Sequence, residues 1–190
     1  MRAFIAIELP QDIKTRLSRV QDRLKKFTTD VKWVTPGNIH LTLKFINEID
    51  QDKLKMVIKM TEEIARDRFQ FNIAFSTLGV FPNPSYPRII WAGINEGDKE
   101  TRDIALELEN KLGRLGISRE NREFYSHVTL GRIKFSASKP AIIKNLKNLK
   151  DEFANEKFNF IADKITVFKS TLAPDAPVYE ALKEITLKTT

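Results

Sequence analysis

Asn38-Ile39-His40-Leu41-Thr42-Leu43-Lys44-Phe45 alternates polar and apolar residues, and its centre, His40-Leu41-Thr42-Leu43, returns 87 positions later as His127-Val128-Thr129-Leu130. Alternation with a period of two is the pattern of a half-buried β-strand. On such a strand Asn38, His40, Thr42 and Lys44 share the polar face, while Ile39, Leu41, Leu43 and Phe45 point to the core. In the second copy Tyr125, His127, Thr129 and Gly131 share the polar side, and Val128 and Leu130 turn inward. These are the only two histidines in the chain.

The same offset organises the rest of the sequence. It carries Phe4-Ile5-Ala6-Ile7 onto Trp91-Ala92-Gly93-Ile94, Phe71-Asn72 onto Phe158-Asn159, and Val80-Phe81 onto Val167-Phe168. Agreement of several apolar segments at one spacing argues for an internal duplication, with halves at about 1–86 and 87–190. Between the strands, Pro10 opens a helix whose Ile13, Leu17, Val20 and Leu24 fall at helical spacing. Further helices are read at 51–67, 99–115 and 139–153, agreeing between the copies in kind but not in register. Strands are read at 3–9, 39–46, 69–81, 88–94, 123–133, 157–171 and 178–187, with Pro82, Pro84 and Pro87 marking a turn. Each half is a β-α-β-α-β unit. Two copies are too few for a solenoid. They predict an α+β fold, a bilobal pseudo-symmetric single domain over 1–190 with antiparallel sheets, helices on the outer faces and a central cleft. The equivalent strand of each half lines that cleft, which sets the two His-x-Thr segments opposite one another.

Composition narrows the function. The 190 residues are 42% hydrophobic and 30% charged, enough to bury a core, which excludes a disordered or fibrous chain. With no Cys, disulfide scaffolds, thiolate metal sites and cysteine nucleophiles are excluded. No apolar run reaches the ~20 residues of a membrane span, and Glu8 interrupts the first apolar stretch too early for a signal peptide. A soluble cytoplasmic protein is expected, with no membrane contact and no obligatory protein partner evident. The net charge of +7 favours anionic partners, although Lys and Arg are spread along the chain.

Two imidazoles facing one cleft suit acid–base chemistry near neutral pH, one neutral as base and the other protonated as acid. The hydroxyls of Thr42 and Thr129, with Lys44, can hold an anion between them, phosphate being the natural candidate. Two histidines without a neighbouring carboxylate or cysteine make a poor ligand set, so neither metal nor other cofactor is expected. The bland alternative is that each histidine is a satisfied polar residue on a half-buried strand; the symmetric recurrence with Thr weighs against it.

At these residues the chain resembles the two-histidine phosphoesterases, whose hallmark is a pair of His-x-Thr motifs about one lobe apart. Within them it is most similar to the RNA 2′,3′-cyclic phosphodiesterases, long called 2′-5′ RNA ligases. The likeness runs nearly end to end, through Trp33-Val34-Thr35-Pro36-Gly37-Asn38-Ile39-His40, Gly79-Val80-Phe81-Pro82, Pro87-Arg88-Ile89-Ile90-Trp91-Ala92-Gly93-Ile94 and His127-Val128-Thr129-Leu130-Gly131-Arg132. It implies hydrolysis of a 2′,3′-cyclic phosphate at an RNA end to a 2′-phosphomonoester, with His40 as proton donor and His127 as proton acceptor. It implies Thr42 and Thr129 as phosphate ligands, and 2′-5′ ligation without ATP as the reverse reaction. The absence of a Gly-x-x-x-x-Gly-Lys loop agrees.

Arg132 matches the family's arginine after the second motif, yet strict alternation turns it away from His127. A bulge at Gly131 would re-aim it. Lys44 and Tyr125 are placed towards the cleft by parity and are further candidates for substrate contact. Trp33, Phe81 and Tyr86 lie in segments flanking the cleft, where each could stack on a base, pack on the core or cover a turn. Arg88 either contacts phosphate or is simply solvated. Two rivals remain: a phosphodiesterase for a small cyclic phosphate, and an RNA-binding module that turns nothing over. A broad basic strip beside the cleft favours RNA over the small molecule, and both motifs being intact weighs against the silent module.

Overall fold

The computed structural model describes residues 1–134, 139–156 and 158–189. Nine strands form one antiparallel sheet: β1 Arg2–Glu8, β2 Val31–Trp33, β3 His40–Glu48, β4 Phe71–Phe81, β5 Ile89–Glu96, β6 His127–Ile133, β7 Phe158–Ala162, β8 Lys164–Thr171 and β9 Val178–Thr186. Four helices are described: α1 Gln11–Lys25, α2 Gln51–Arg66, α3 Asp98–Gly113 and α4 Lys139–Asn155. The strand order is β7-β4-β5-β6-β3-β1-β8-β9, with β2 alongside β6. The two central strands, β3 and β6, are joined through a single residue pair, Leu41 with Val128. The sheet is therefore two lobes, β7-β4-β5-β6 with β2 beside β6 and β3-β1-β8-β9, joined at one seam and curled into a half-barrel.

The duplication is visible in the element bounds. An offset of 87 carries α1 onto α3 and α2 onto α4 to within two residues, a helical register that the sequence alone does not reveal. It also exposes an exchange. β4, from the first half of the chain, pairs with β5 and β7, whereas β8, from the second half, pairs with β1 and β9. The helices cross likewise: α1 and α4 pack behind β4, β6 and β7, and α2 and α3 behind β3, β8 and β9. Each lobe thus contains pieces of both halves.

Local chemistry explains where elements begin. Asp50 caps α2, its carboxylate accepting from the Lys53 amide at 2.8 Å. Before α3 the chain needs φ +79° at Gly97, where a Cβ would stand 2.4 Å from the Asn72 carbonyl oxygen, so only glycine fits. The helices bury their apolar stripes, Ile13, Leu17, Val20 and Leu24 on α1 and Ile142, Leu146, Leu149 and Phe153 on α4.

Three features depart from the sequence reading. The single strand expected over 157–171 breaks at Asp163 into β7 and β8, which lie in different lobes (Lys157 is outside the described residues). At this break the Asp163 carbonyl accepts from the Leu187 amide at 2.8 Å, just beyond β9. The strand expected from residue 123 starts only at His127. β2 has no counterpart in the sequence reading; at three residues it is too short to show a period.

Candidate active site

The seam sets the site. Leu41 and Val128 are fully buried, pointing to the core, so their neighbours His40, Thr42, His127 and Thr129 all turn to the opposite, concave face. Because the pair is antiparallel, His40 lies on the side of Thr129 and Thr42 on the side of His127. Each imidazole thus stands across the seam from the other motif's hydroxyl.

The two imidazoles are held identically. His40 Nδ1 is 2.7 Å from the Asn38 carbonyl oxygen, and His127 Nδ1 is 2.7 Å from that of Tyr125. A carbonyl only accepts, so Nδ1 donates and carries the proton in both rings. In the neutral ring Nε2 is left as the free acceptor. Aromatic edges hold the rings from the side: Tyr179 meets His40 at 5.3 Å and 86°, and Phe81 meets His127 at 5.0 Å and 85°. Burial pulls His40 down from its ordinary 6.5 to about 4; the Asn38 carbonyl opposes this, and Lys14 and His127 add to the lowering. His127 is lowered too, first by burial and then by Arg132, against the bond to Tyr125. The Thr42 and Thr129 hydroxyls have no protein partner among the described residues and are free to donate to a ligand.

Strict alternation fails at equivalent points in the two central strands, and β3 carries a further register shift at Ile46. Between β1 and β3 the register steps from Ile5–Lys44 to Ala6–Thr42, leaving Leu43 as an extra residue. Between β5 and β6 it steps from Ile90–Gly131 to Trp91–Thr129, leaving Leu130 extra. Each bulge reverses the parity of the residues that follow it, in β3 as far as the second shift at Ile46. Lys44, expected in the cleft, is instead buried on the core side, its ammonium donating to the Ser118 carbonyl at 2.7 Å and pairing with Glu109 at 2.7 Å. Phe45 takes the cleft face in its place, 6.4 Å from Phe4. The second bulge has the opposite effect on expectation: it returns Arg132 to the face of His127, exposed and close enough to depress that ring's pKa.

Other candidates are placed as follows. Tyr125 serves His127 through its carbonyl and packs its ring 4.9 Å from Trp91 and 5.6 Å from Phe81. Trp33 is not in the cleft; it packs on the core, its ring filling the space that a Cβ on Gly131 would need. Phe81 stacks on Trp91 beside His127. Tyr86 and Arg88 are exposed in the β4–β5 turn.

Phe4 and Tyr179 belong to the site although no motif marks them. Phe4 lies 4.8 Å from His40 and 4.9 Å from Tyr179, forming with Ala6 and Phe168 a small apolar floor separate from the main core. β1 is buried on both faces, so it carries no alternation to mark Phe4, and nothing in spacing links Tyr179 to His40. That link is made in space by Asn38, whose side-chain amide donates to the Pro177 carbonyl at 2.6 Å while its own carbonyl holds His40. The described residues contain no cluster of three or more His, Cys, Asp or Glu that could hold a metal ion.

Two imidazoles held through Nδ1, two free hydroxyls and a nearby guanidinium share one concave face, an arrangement suited to acid–base chemistry on a phosphate ester. Comparison with known proteins agrees. The family model described as LigT like Phosphoesterase matches twice, over residues 7–91 and 94–179, and the chain belongs to that family. Its relatives include the RNA 2′,3′-cyclic phosphodiesterases of Methanocaldococcus jannaschii, 35% identical over 97% of this chain and 99% of the relative, and of Aquifex aeolicus, 33% identical over 98% and 97%. Among solved structures, TT0787 of Thermus thermophilus superposes with a TM-score of 0.81 at 24% identity over 98% of both chains. E. coli LigT complexed with 3′-AMP gives 0.76 at 24% identity, over 98% of this chain and 97% of that one. These two likenesses speak for the fold.

Proposed function

We propose that the chain is an RNA 2′,3′-cyclic phosphodiesterase, a hydrolase that opens a terminal cyclic phosphate to a 2′-phosphomonoester. The observation that carries the reading is the matched pair of imidazoles, each with Nδ1 committed to a backbone carbonyl two residues earlier and Nε2 left for the substrate. Relatives of that name over nearly the whole chain support it.

In this reading the cyclic phosphate sits over the seam. Neutral His127 accepts at Nε2 the proton of a water that attacks phosphorus. Protonated His40 gives its Nε2 proton to the departing ribose 3′ oxygen, so the P–O3′ bond breaks as the water–phosphorus bond forms. Thr42 and Thr129 donate to the phosphate oxygens, where charge grows in the transition state. The product carries a 2′-phosphate and a free 3′-hydroxyl. If an RNA 5′-hydroxyl replaces water, the same groups seal a 2′-5′ linkage without ATP.

RNA is favoured over a small cyclic phosphate because exposed cations continue outward from the site. Lys32 pairs across β2 with Arg132, and Arg88 precedes Ile89, which pairs with Arg132 from the other side. The chain works as one bilobal unit, since the seam supplies half the site from each lobe. No described helix is long and apolar enough to cross a membrane. A cytoplasmic location is part of the proposal, in keeping with an RNA substrate. The test is incubation of a cyclic-phosphate-ended RNA oligonucleotide with wild type and His127→Ala in EDTA. Release of a 2′-phosphate end by wild type alone supports the reading; an RNA bound but left intact overturns it.

A further inference from the structure

Outside the cleft, one exposed ring gathers two cations. The Arg88 guanidinium lies 4.5 Å and the Lys139 ammonium 4.2 Å from the centre of the Tyr86 ring, and the Arg88 guanidinium also donates to the Tyr86 hydroxyl. Neither cation forms an ion pair with a carboxylate among the described residues, and the same holds for Arg132 and Lys32 nearby. Elsewhere on this surface lysines and arginines do find carboxylates, as Lys99 does with Asp103 and Arg102 with Glu123. The ring attracts each cation, but the two repel one another with no counter-charge beside them, which suits a site completed by an anion.

The cluster is built to stay in place. The Asn83 carboxamide oxygen accepts from the amides of Ser85 and Tyr86, both at 3.0 Å, which fixes the turn. The Arg88 amide donates to the Phe81 carbonyl, and the Arg88 carbonyl accepts from Ile133 at 2.9 Å, which ties the turn to the end of β6. Phe81 is the ring that abuts His127. A continuous path therefore leads from His127 past Arg132 to Arg88, Tyr86 and Lys139. Along β6 the five steps from His127 to Arg132 span about 16 Å of backbone at ~3.3 Å each, so the turn that carries Tyr86 and Arg88 lies outward of the seam, where the strand next to a seated terminal nucleotide would run.

We propose that Tyr86, Arg88 and Lys139 form a backbone clip for the RNA strand upstream of the cyclic end, binding a phosphodiester through the two cations that the Tyr86 ring holds together. The clip rests on the RNA reading above and adds to it a length requirement. A mononucleotide occupies the cleft alone, whereas an oligonucleotide gains the clip and with it affinity that depends on salt.

The experiment compares adenosine 2′,3′-cyclic phosphate with a short RNA oligonucleotide ending in the same cyclic phosphate. Both are tested on wild type, on Arg88→Gln/Lys139→Gln and on Tyr86→Leu, over a range of salt. For the oligonucleotide the double variant should raise KM roughly three- to twentyfold, two exposed charge contacts being lost. The slope of log KM against log salt should fall by about 0.7 for each phosphate contact removed. Tyr86→Leu, which keeps the charges but frees them, should give a smaller rise in KM with kcat unchanged. KM for the mononucleotide should stay within about twofold in every variant, which also shows that the variants fold. Equal KM changes for both substrates, or an unaltered salt slope, overturns the clip. A wild type that hydrolyses neither substrate overturns the RNA reading instead.

Discussion

Leu41 on β3 pairs with Val128 on β6, and this one antiparallel pair generates the site. Both side chains are buried, so the residues before and after each of them turn to the cleft together. The arrangement is a local two-fold in which histidine and threonine exchange places across the seam. In the proposed reaction each of the four acts on the same phosphate. His40→Ala and His127→Ala should each lower kcat by at least ~100-fold, the low end for a general acid or base. Thr42→Val and Thr129→Val keep shape but remove a donor, and should cost roughly 10- to 100-fold. Steady-state kinetics on the cyclic-ended RNA checks this. A threonine variant with wild-type kcat would remove that hydroxyl from the chemistry.

Both histidines titrate below 6.5 in the free protein, His40 at about 4. The profile of kcat/KM reports free-enzyme groups, so its optimum should lie on the acid side of 6.5. A bound phosphate anion stabilises imidazolium, and the kcat profile should move to higher pH. Coupling between the rings makes the limbs properties of the pair. A kcat/KM optimum above pH 7 would contradict the assignment.

The same shifts act on folding. Above pH 6.5 both states leave these histidines neutral, and they contribute no pH dependence. Below it the unfolded chain binds protons that the folded chain resists, so stability falls as pH drops from 6.5 towards about 4. Urea melts at pH 7 and pH 4.5 should show a smaller acid loss for His40→Asn than for wild type. An equal loss would mean that burial does not depress His40.

What could be read from the sequence was what repeats. The His-x-Thr pair and the strand segments at one offset were enough for the duplicated α+β fold and the four central residues, because period-two alternation needs no tertiary knowledge. It failed at Lys44 and succeeded only conditionally at Arg132 for one reason: a bulge changes parity without changing composition. Leu43 and Leu130 look like any other apolar residue of a strand. Phe4 and Tyr179 were hidden differently, one by a strand buried on both faces and the other because its contact with His40 depends on Asn38 reaching Pro177.

The bulge at Leu43 yields a prediction opposite to that of parity. Lys44 is buried beneath β3, where it joins Glu109 on α3 to the Ser118 carbonyl. Lys44→Met, which keeps the stem and removes the charge, should retain kcat and KM within a few-fold. Glu109→Ala leaves a buried ammonium without its counter-charge and should destabilise by about 3 kcal/mol, measured by denaturant melts. Loss of phosphate affinity in folded Lys44→Met would return Lys44 to the site.

The two lobes solve one packing problem with different volumes. In one, the Trp91 indole lies on a floor of Gly79 and Gly93; a Cβ on Gly79 would stand 2.3 Å from the ring, and one on Gly93 would stand 2.5 Å from Thr77 Oγ1. At the equivalent positions of the other lobe Phe4 lies with Thr166 and Ala6, a smaller ring with larger neighbours. Gly79→Ala should therefore push the indole against Phe81, which abuts His127, and destabilise by about 1–3 kcal/mol with a fall in kcat. Adding Trp91→Phe copies the other lobe's solution and should restore part of both losses. A double-mutant cycle read by melts and kinetics isolates the coupling. Additive losses would show that the indole's size is not what demands glycine at 79.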